Sequence, residues 1–279
     1  MKIALCGGDL RSVFLARRFL RDGHEVRCFA LETSDVPKSC HTDTMEAAFN
    51  GADCIILPTP AFKQERLTTP FGSRMLSTED VLCALPKYVP VFGGSLSEAL
   101  LQQCAARRIC ITDLLSIEAL AIKNAALTAE CALQVILWEI PYTLAKEPVL
   151  ILGAGRIGKL LGLKLQALGA QVTVTARKEE DNAWCRSLGY RTTTAEQVTP
   201  LLPQCRLVVN TIPARVLSDS QLQLLPKDAL LFELASKPGG FPPQQEAPTI
   251  IGCGGLPGKY APQSAADLIA ETIYHRLEC

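Results

Sequence analysis

The sequence has few of the residues that build metal centres or covalent cross-links. It contains only three histidines, and no two of its twelve cysteines form a C-x-x-C pair. Most of the cysteines lie inside apolar runs, which is typical of reduced thiols that serve as small hydrophobic side chains in a cytosolic protein. We therefore expect no metal site and no disulfide framework.

The chain has no formal net charge, and we expect no leader segment. Lys and Arg together number 28, and so do Asp and Glu, which argues against nucleic acid or an anionic membrane surface as the main partner. Met1 leads directly into a short apolar run, and we expect no apolar stretch of membrane-spanning length. With 48% hydrophobic and 20% charged residues, the composition predicts an ordinary globular protein, soluble and cytoplasmic.

One glycine-rich turn stands in the setting of a dinucleotide site. A short apolar run meets Gly153, Gly155 and Gly158 with the spacing G-x-G-x-x-G, and residues 159–168 then have helical spacing. In such a unit the first glycine makes the turn, the second admits a pyrophosphate, and the third lets the helix pack on its strand. The phosphates would lie at the helix N-terminus, where free N–H groups and the helix dipole favour an anion. The alternative is a purely structural glycine turn.

The end of the second strand, predicted at 171–175, favours NADP over NAD. In NAD-binding domains an Asp or Glu about 20 residues past the glycines accepts hydrogen bonds from the ribose. Here Thr175 and Ala176 stand at that point, and Arg177 and Lys178 follow. The two cations could bind a 2′-phosphate that a carboxylate would repel. The alternative is a basic turn exposed to water, which the acidic residues just beyond it partly support.

Alternating strands and helices predict an α/β fold with two Rossmann-like parallel-sheet domains joined by a long connecting helix. The strands are predicted at 2–6, 24–29, 53–57, 89–92 and 108–112 in the first half, and at 149–152, 171–175, 207–211, 229–234 and 249–252 in the second.

The domain limits are placed on either side of this connecting helix. We expect a substrate and partner domain at 1–118 and an NADP-binding domain at 119–279. The second includes the connecting helix at 117–140 and a terminal helix at 262–277 that could pack on the first domain. The segment 60–79 has few apolar residues at either period, which predicts an exposed or mobile loop near a cleft.

Glycine, proline and small polar residues follow several strands of the second half, at 210–213, 233–240 and 252–262. Ligands of open parallel sheets bind beyond the carboxyl ends of the strands, so these loops are expected to face a ligand; the alternative is ordinary connecting loops. The residues expected to bind the cofactor are Gly153, Ala154, Gly155, Arg156, Ile157 and Gly158 of the turn, Thr175, Ala176, Arg177 and Lys178 of the second strand's end, and Asn210, Thr211, Ile212, Pro213, Ala235 and Ser236 of the later loops.

Several motifs, taken in order over nearly the whole chain, resemble the A subunit of dipicolinate synthase. They are Gly7-Gly8-Asp9-Leu10-Arg11, which looks like that family's GGDxR opening, Thr128-Ala129-Glu130, the glycine turn, Asn210-Thr211-Ile212-Pro213, the run from Leu234 to Gly240, and the run from Gly255 to Pro262. The chain departs from the family pattern at Leu127 and Cys131, where proline and glycine are expected. It also has Ser264-Ala265-Ala266 where Thr-Ala-Gly is expected.

The resemblance implies an NADP-dependent oxidoreductase subunit in the mother-cell cytoplasm of a sporulating bacterium. With a flavoprotein-like B subunit, it would convert dihydro- or 4-hydroxy-tetrahydrodipicolinate into dipicolinate (pyridine-2,6-dicarboxylate), and NADP⁺ would take the hydride. A homo-oligomer is a further expectation. The alternatives are another two-domain dehydrogenase, of the alanine or 2-hydroxyacid type, and a subunit that only senses a dinucleotide.

Four residues are candidates for holding the implied dicarboxylate and moving its proton. Arg11 is the expected carboxylate clamp, the alternative being a solvated arginine at a helix start. Lys237 and Lys259 lie on strand-end loops and could bind a carboxylate or shuttle a proton, unless they are ordinary exposed lysines. Glu130 lies in an apolar helical run, where an unpaired carboxylate is costly. It is expected either to pair across the domain boundary or to act as a general base.

Overall fold

The computed structural model describes residues 1–242 and 248–278. Its contacts divide the chain into two compact units, Met1–Asn124 with Pro257–Cys279, and Ala125–Leu256. This division falls six residues beyond the predicted boundary after residue 118, and it assigns the C-terminal residues to the first unit. The predicted substrate and partner domain at 1–118 and NADP-binding domain at 119–279 stay a prediction.

The described residues alternate between strands and helices. The strands are β1 (Lys2–Cys6), β2 (Glu25–Phe29), β3 (Cys54–Ile56), β4 (Phe62–Lys63), β5 (Arg66–Leu67), β6 (Pro90–Gly93), β7 (Cys110–Asp113), β8 (Pro148–Leu152), β9 (Gln171–Thr175), β10 (Arg191–Thr193), β11 (Leu207–Asn210), β12 (Leu230–Glu233) and β13 (Thr249–Gly252). The α-helices are α1 (Leu10–Arg21), α2 (Met45–Phe49), α3 (Thr78–Ala84), α4 (Glu98–Ala106), α5 (Glu118–Glu139), α6 (Arg156–Ala167), α7 (Glu179–Ser187), α8 (Asp219–Leu222), α9 (Leu256–Tyr260) and α10 (Pro262–Glu278).

The first unit has a five-stranded parallel sheet in the order β2-β1-β3-β6-β7. Buried residues such as Ile3, Phe19 and Ile273 form a core between this sheet and helices α1 and α10. Arg18 of α1 donates to Asp267 of α10 at 3.0 Å, and the α10 residue Tyr274 donates its hydroxyl hydrogen to Asp22 at 2.8 Å. The C-terminal helix is thereby attached to the first helix of the chain.

The segment 60–79 is anchored to the first unit, so its prediction as an exposed or mobile loop is partly wrong. Strands β4 and β5 pair as an antiparallel hairpin, and Leu67 and Leu76 are buried. Gly8 donates its backbone N–H to the Thr68 carbonyl at 2.8 Å, at the end of β1. Ala61, Leu67 and Leu76 anchor the segment in the core, although they create no regular apolar period.

The second unit has a six-stranded parallel sheet in the order β10-β9-β8-β11-β12-β13. In chain order this is 3-2-1-4-5-6, the Rossmann arrangement, in which the ligand crevice lies where the order reverses, between β8 and β11. The register aligns Leu152 with Thr175 and with Asn210, and Asn210 with Glu233, in one row at the carboxyl edge. The predicted α/β fold with two Rossmann-like parallel sheets and a long helix is confirmed.

Helix α5 corrects one expectation from composition. It has 22 residues and is long and apolar enough to cross a membrane, judged by length and composition alone. Its alanine, leucine and isoleucine residues outweigh Lys123 and Glu130, so the expected lack of such a stretch is wrong. In the structure 44% of its most apolar window is buried inside the protein, and core helices of soluble proteins meet the same criterion.

Candidate functional site

The turn between β8 and α6 needs glycine at two positions for different reasons. Gly153 has φ +108°, and a Cβ there would lie 2.5 Å from Thr211 Oγ1 and 2.8 Å from Ile212 Cγ1. Its N–H donates to Thr175 Oγ1 at 3.0 Å, which ties the turn to the end of β9. A Cβ on Gly158 would overlap the Gly153 carbonyl oxygen. The first turn of α6 therefore packs directly on the backbone of the strand end.

Gly155 differs from both, because a Cβ there would meet no atom within 4 Å. It is the N-cap of α6, has extended backbone (φ −75°) and offers no side-chain cap to the helix N–H groups. Gly155 and its neighbours Ala154 and Arg156 line a cleft of about 700 Å³. Open space at the N-cap, at the positive end of a helix dipole, fits a dinucleotide pyrophosphate.

Most of the predicted cofactor residues line this cleft. They are Gly153, Ala154, Gly155, Arg156, Thr175, Ala176, Arg177, Lys178, Thr211, Ile212 and Pro213. Ile157, Gly158, Asn210, Ala235 and Ser236 are not among the described residues that line it. Four charged residues that the sequence reasoning did not select do line it, namely Lys159, Asp181, Glu196 and Arg215. Lys159 follows the third glycine directly, which is a signal that could have been used.

The end of β9 is neutral and leads into a basic turn. Thr175 and Ala176 are buried, and the Ala176 N–H donates to the Thr193 carbonyl on the neighbouring strand at 3.0 Å. Arg177 and Lys178 are exposed at the mouth of the cleft. The acidic residues that follow form the first turn of α7, where carboxylates complement the helix dipole. Their position gives them a structural role as helix N-terminal residues.

The side chains of Asn210 and Glu233 form hydrogen bonds with the backbone of two of the predicted ligand loops. The fully buried Asn210 donates its side-chain amide to the Ile212 carbonyl at 2.8 Å and to Glu233 Oε1 at 2.7 Å. Glu233 also accepts the backbone N–H groups of Ala235 (3.1 Å), Gly240 (2.7 Å) and Phe241 (3.1 Å). The Asn210 side chain therefore supports the loops at 210–213 and 235–241. Glu233 was predicted only as the start of the loop at 233–240 and not as a site residue, although the parallel register places it beside Asn210.

In the first unit, Arg11 lies against the N-cap of α1. Asp9 accepts hydrogen bonds from Arg11 Nε at 2.9 Å and from Nη2 at 2.8 Å, and the arginine side chain is only 14% exposed. A Cβ on Gly258 would lie 2.8 Å from Asp9 Oδ2 and 3.1 Å from Arg11 Nε. The opening motif of the chain and the late motif around Gly258 are thus packed together.

The remaining catalytic candidates are exposed. Lys259 follows Gly258 in the first unit, and Lys237 lies in the loop after β12 in the second. Glu130 has a 73% exposed side chain and pairs with Lys164 of α6 at 3.6 Å, within the second unit. The partner of Glu130 is therefore in the same unit. The Glu130 side chain is more exposed to solvent than the apolar sequence around it suggests.

Known proteins resemble both units. Residues 2–115 match the family model of the N-terminal domain of the dipicolinate synthase A subunit. Residues 134–236 match that of the D-isomer specific 2-hydroxyacid dehydrogenase NAD binding domain.

Full-length comparisons agree with these domain matches. The A subunit of dipicolinate synthase from Bacillus subtilis (strain 168) is 28% identical over 284 residues, which cover 98% of this chain and 94% of the relative. The crystal structure of the A chain of dipicolinate synthase from Bacillus subtilis has a TM-score of 0.85 at 26% identity, covering 100% of this chain and 96% of that chain. The structure of the A subunit from Bacillus halodurans gives 0.85 at 25%, with 99% and 97% covered.

The resemblance predicted from the motifs is therefore confirmed. The open turn of α6 agrees with the dehydrogenase-type match of the second unit, which indicates an oxidoreductase that uses a nicotinamide dinucleotide. The chain is similar to dipicolinate synthase A subunits over nearly its whole length, and its first unit matches the N-terminal domain of that subunit.

Proposed function

We propose that this chain is the NADP-dependent oxidoreductase subunit of a dipicolinate synthase. It oxidises dihydrodipicolinate, or the 4-hydroxy-tetrahydro form after loss of water, to pyridine-2,6-dicarboxylate. It does so with a flavoprotein-like B subunit in the mother-cell cytoplasm of a sporulating bacterium. The observation that supports this most directly is the likeness to the A subunit of a dipicolinate synthase over 98% of the chain.

The reaction sets two demands on the protein. Aromatisation of the dihydro ring removes one hydride and one proton, and bound NADP⁺ supplies the hydride acceptor. The chain itself must hold a dianionic ring and provide an acceptor for the proton. Cationic side chains and open helix N-termini meet the first demand, and a titratable side chain near the ring meets the second.

We propose that the second unit binds NADP. The N-terminus of α6 holds the pyrophosphate, since the space in front of Gly155 is open. Arg177 grips the 2′-phosphate with its fork of donors, and Lys178 adds a point charge. The neutral pair Thr175 and Ala176 leaves the end of β9 without a carboxylate that would repel this phosphate.

On the substrate side, we propose Arg11 as the carboxylate clamp. Asp9 occupies its Nε and Nη2 donors on one edge, which leaves the Nη1–Nη2 edge to a second carboxylate. Lys259, next to Gly258 at this cluster, is a candidate for the other carboxylate or for the proton. Lys237 and Glu130 of the second unit stay candidates for proton transfer.

A coupled assay tests this function. Enzymatically generated 4-hydroxy-tetrahydrodipicolinate is mixed with NADP⁺ and the chain, with and without its B subunit, while the ultraviolet absorbance of the pyridine ring is followed. We expect ring formation that needs both subunits. Failure of the pair to form the ring, with NADP⁺ binding verified by calorimetry, would favour a different substrate or a subunit that only senses a dinucleotide. Size-exclusion chromatography with light scattering tests the expected homo-oligomer.

A further inference from the structure

The cleft of the second unit contains carboxylates as well as cations. Asp181 lies in the first turn of α7 and lines the same cleft as Arg177 and Lys178. A carboxylate beside a 2′-phosphate would repel it, and this repulsion would fall on NADP and not on NAD. A cleft that contains Asp181 can therefore favour NADP only if another group offsets the negative charge of this carboxylate.

Lys159 forms an ion pair with Asp181. Its Nζ donates to Asp181 Oδ1 at 2.8 Å, and the two side chains are only 25% and 33% exposed. The pair links α6 to α7, the helix that follows the turn carrying Arg177. Partial burial weakens the screening by solvent and salt, so the lysine cancels most of the carboxylate's field within the cleft.

A side-chain hydrogen bond fixes the backbone of Lys159. Buried Tyr190 donates its hydroxyl hydrogen to the Lys159 carbonyl at 2.5 Å. Gly162, one turn further along α6, makes room for that ring, since a Cβ there would lie 2.7 Å from Tyr190 Cζ. The lysine thus extends toward Asp181 from a held position, which lowers the entropy cost of the ion pair.

We infer that Lys159 is a specificity-determining residue that acts through Asp181. By neutralising this carboxylate it leaves Arg177 and Lys178 to set the sign of the potential where a 2′-phosphate binds. The inference rests on the proposed use of NADP. It adds a residue to that site whose effect is confined to the phosphate that distinguishes the two cofactors.

Glu196 provides a matched comparison within the same cleft. It follows β10, lines the cleft and is exposed. A hydrogen bond from the Thr194 side chain lowers the pKa of its carboxyl, so it is ionised at neutral pH. If Lys159 acted only on the overall charge of the cleft, removing the charge of Glu196 would restore NADP⁺ binding in a Lys159 variant. The recovery would equal that obtained by removing the charge of Asp181.

The experiment is titration calorimetry of the full chain with NADP⁺ and with NAD⁺. The variants are Lys159→Met, Lys159→Arg, Asp181→Asn, and the double variants Lys159→Met/Asp181→Asn and Lys159→Met/Glu196→Gln. We expect Lys159→Met to raise the Kd for NADP⁺ about tenfold and that for NAD⁺ less than about threefold. Lys159→Arg should keep the parent values. Asp181→Asn should restore NADP⁺ binding in the Lys159→Met background to within about threefold, and Glu196→Gln should restore much less.

Two results would overturn the inference. If Asp181→Asn does not restore NADP⁺ binding, Lys159 contacts the phosphate directly and does not act through Asp181. If Lys159→Met weakens both cofactors equally while the thermal unfolding curve is unchanged, its role is not tied to the 2′-phosphate. The parent chain tests the proposed cofactor separately: tighter binding of NAD⁺ than NADP⁺ would refute that proposal, whereas the coupling between Lys159 and Asp181 is read from the NADP⁺ titrations alone.

Discussion

Asp9 holds the guanidinium of Arg11 by two parallel hydrogen bonds, Nε to Oδ1 at 2.9 Å and Nη2 to Oδ2 at 2.8 Å. The same Oδ1 accepts the backbone N–H of Arg11 at 3.0 Å and so caps α1. One aspartate thus fixes both the start of the helix and the plane of the arginine. A guanidinium that is already oriented loses less conformational freedom when a carboxylate binds to its remaining edge.

Arg11→Ala should raise KM for the dicarboxylate about 10- to 150-fold, since hydrogen bonds to charged groups contribute about 1.5–3 kcal/mol. The KM for NADP⁺ should stay the same. Arg17→Ala is the matched control, because Arg17 lies on the same helix and pairs with the exposed Asp35. Steady-state kinetics in both substrates measure the effect. Unchanged KM values in the Arg11 variant would show that the arginine is only a helix-start residue.

Alanine should destabilise the protein at Gly158 but change its stability little at Gly155. Gly158→Ala places a methyl group on the Gly153 carbonyl, and we expect a loss of about 1–3 kcal/mol in the free energy of unfolding. Gly155→Ala should leave stability within about 1 kcal/mol, because its Cβ meets open space. Denaturant unfolding measures both.

The bulkier Gly155→Val should abolish dinucleotide binding in a folded protein, because its side chain would fill the space in front of the α6 N-terminus. Calorimetric titration with NADP⁺ measures this, with circular dichroism as the check on folding. Parent-like affinity would refute the placement of the pyrophosphate.

Glu233→Gln should destabilise the second unit. The carboxylate accepts three backbone N–H groups and the Asn210 amide, whereas a glutamine has one acceptor oxygen and would point its own donors at donors. We expect a loss of about 1–3 kcal/mol in the free energy of unfolding, and weaker protection of the 235–241 amides in hydrogen exchange. Glu180→Gln, on the exposed start of α7, is the control. Equal stability of both variants would contradict the supporting role of Glu233.

Arg177→Ala should weaken NADP⁺ binding by about 1.5–3 kcal/mol and leave NAD⁺ binding nearly unchanged. Arg191→Ala is the control, because Arg191 is exposed on the neighbouring strand β10 and does not line the cleft among the described residues. Calorimetric titration with each cofactor gives the two changes. Equal losses for NADP⁺ and NAD⁺ would show that the end of β9 does not bind the 2′-phosphate.

The sequence predicted those parts of the fold that depend on contiguous apolar runs and local turn chemistry. The turn at Gly153 and the long helix α5 are of this kind, and both are present. Strand β10 was missed because it is a three-residue polar strand at a sheet edge, without an apolar period. The hairpin of β4 and β5 was missed because each strand has two residues.

Residue spacing in the sequence could not predict which side chains of separate helices and strands are in contact. The ion pair of Lys159 with Asp181 joins two helices, and the separation of the two residues in sequence has no regular signature. Glu130 lies in an apolar sequence but faces water, because fewer than half of the residues in that stretch of α5 are buried. Asp9 could have been recognised, since an aspartate before a helical run is a frequent N-cap.

The most direct test of the proposed reaction is its stoichiometry. Limiting 4-hydroxy-tetrahydrodipicolinate and excess NADP⁺ are supplied to the chain together with its B subunit, and both dipicolinate and NADPH are quantified at the end point. One NADPH for each dipicolinate, with both lost in the Gly155→Val variant, is the predicted result. Dipicolinate formed without NADPH, or at an equal rate by the Gly155→Val variant, would contradict an NADP-dependent oxidation by this chain.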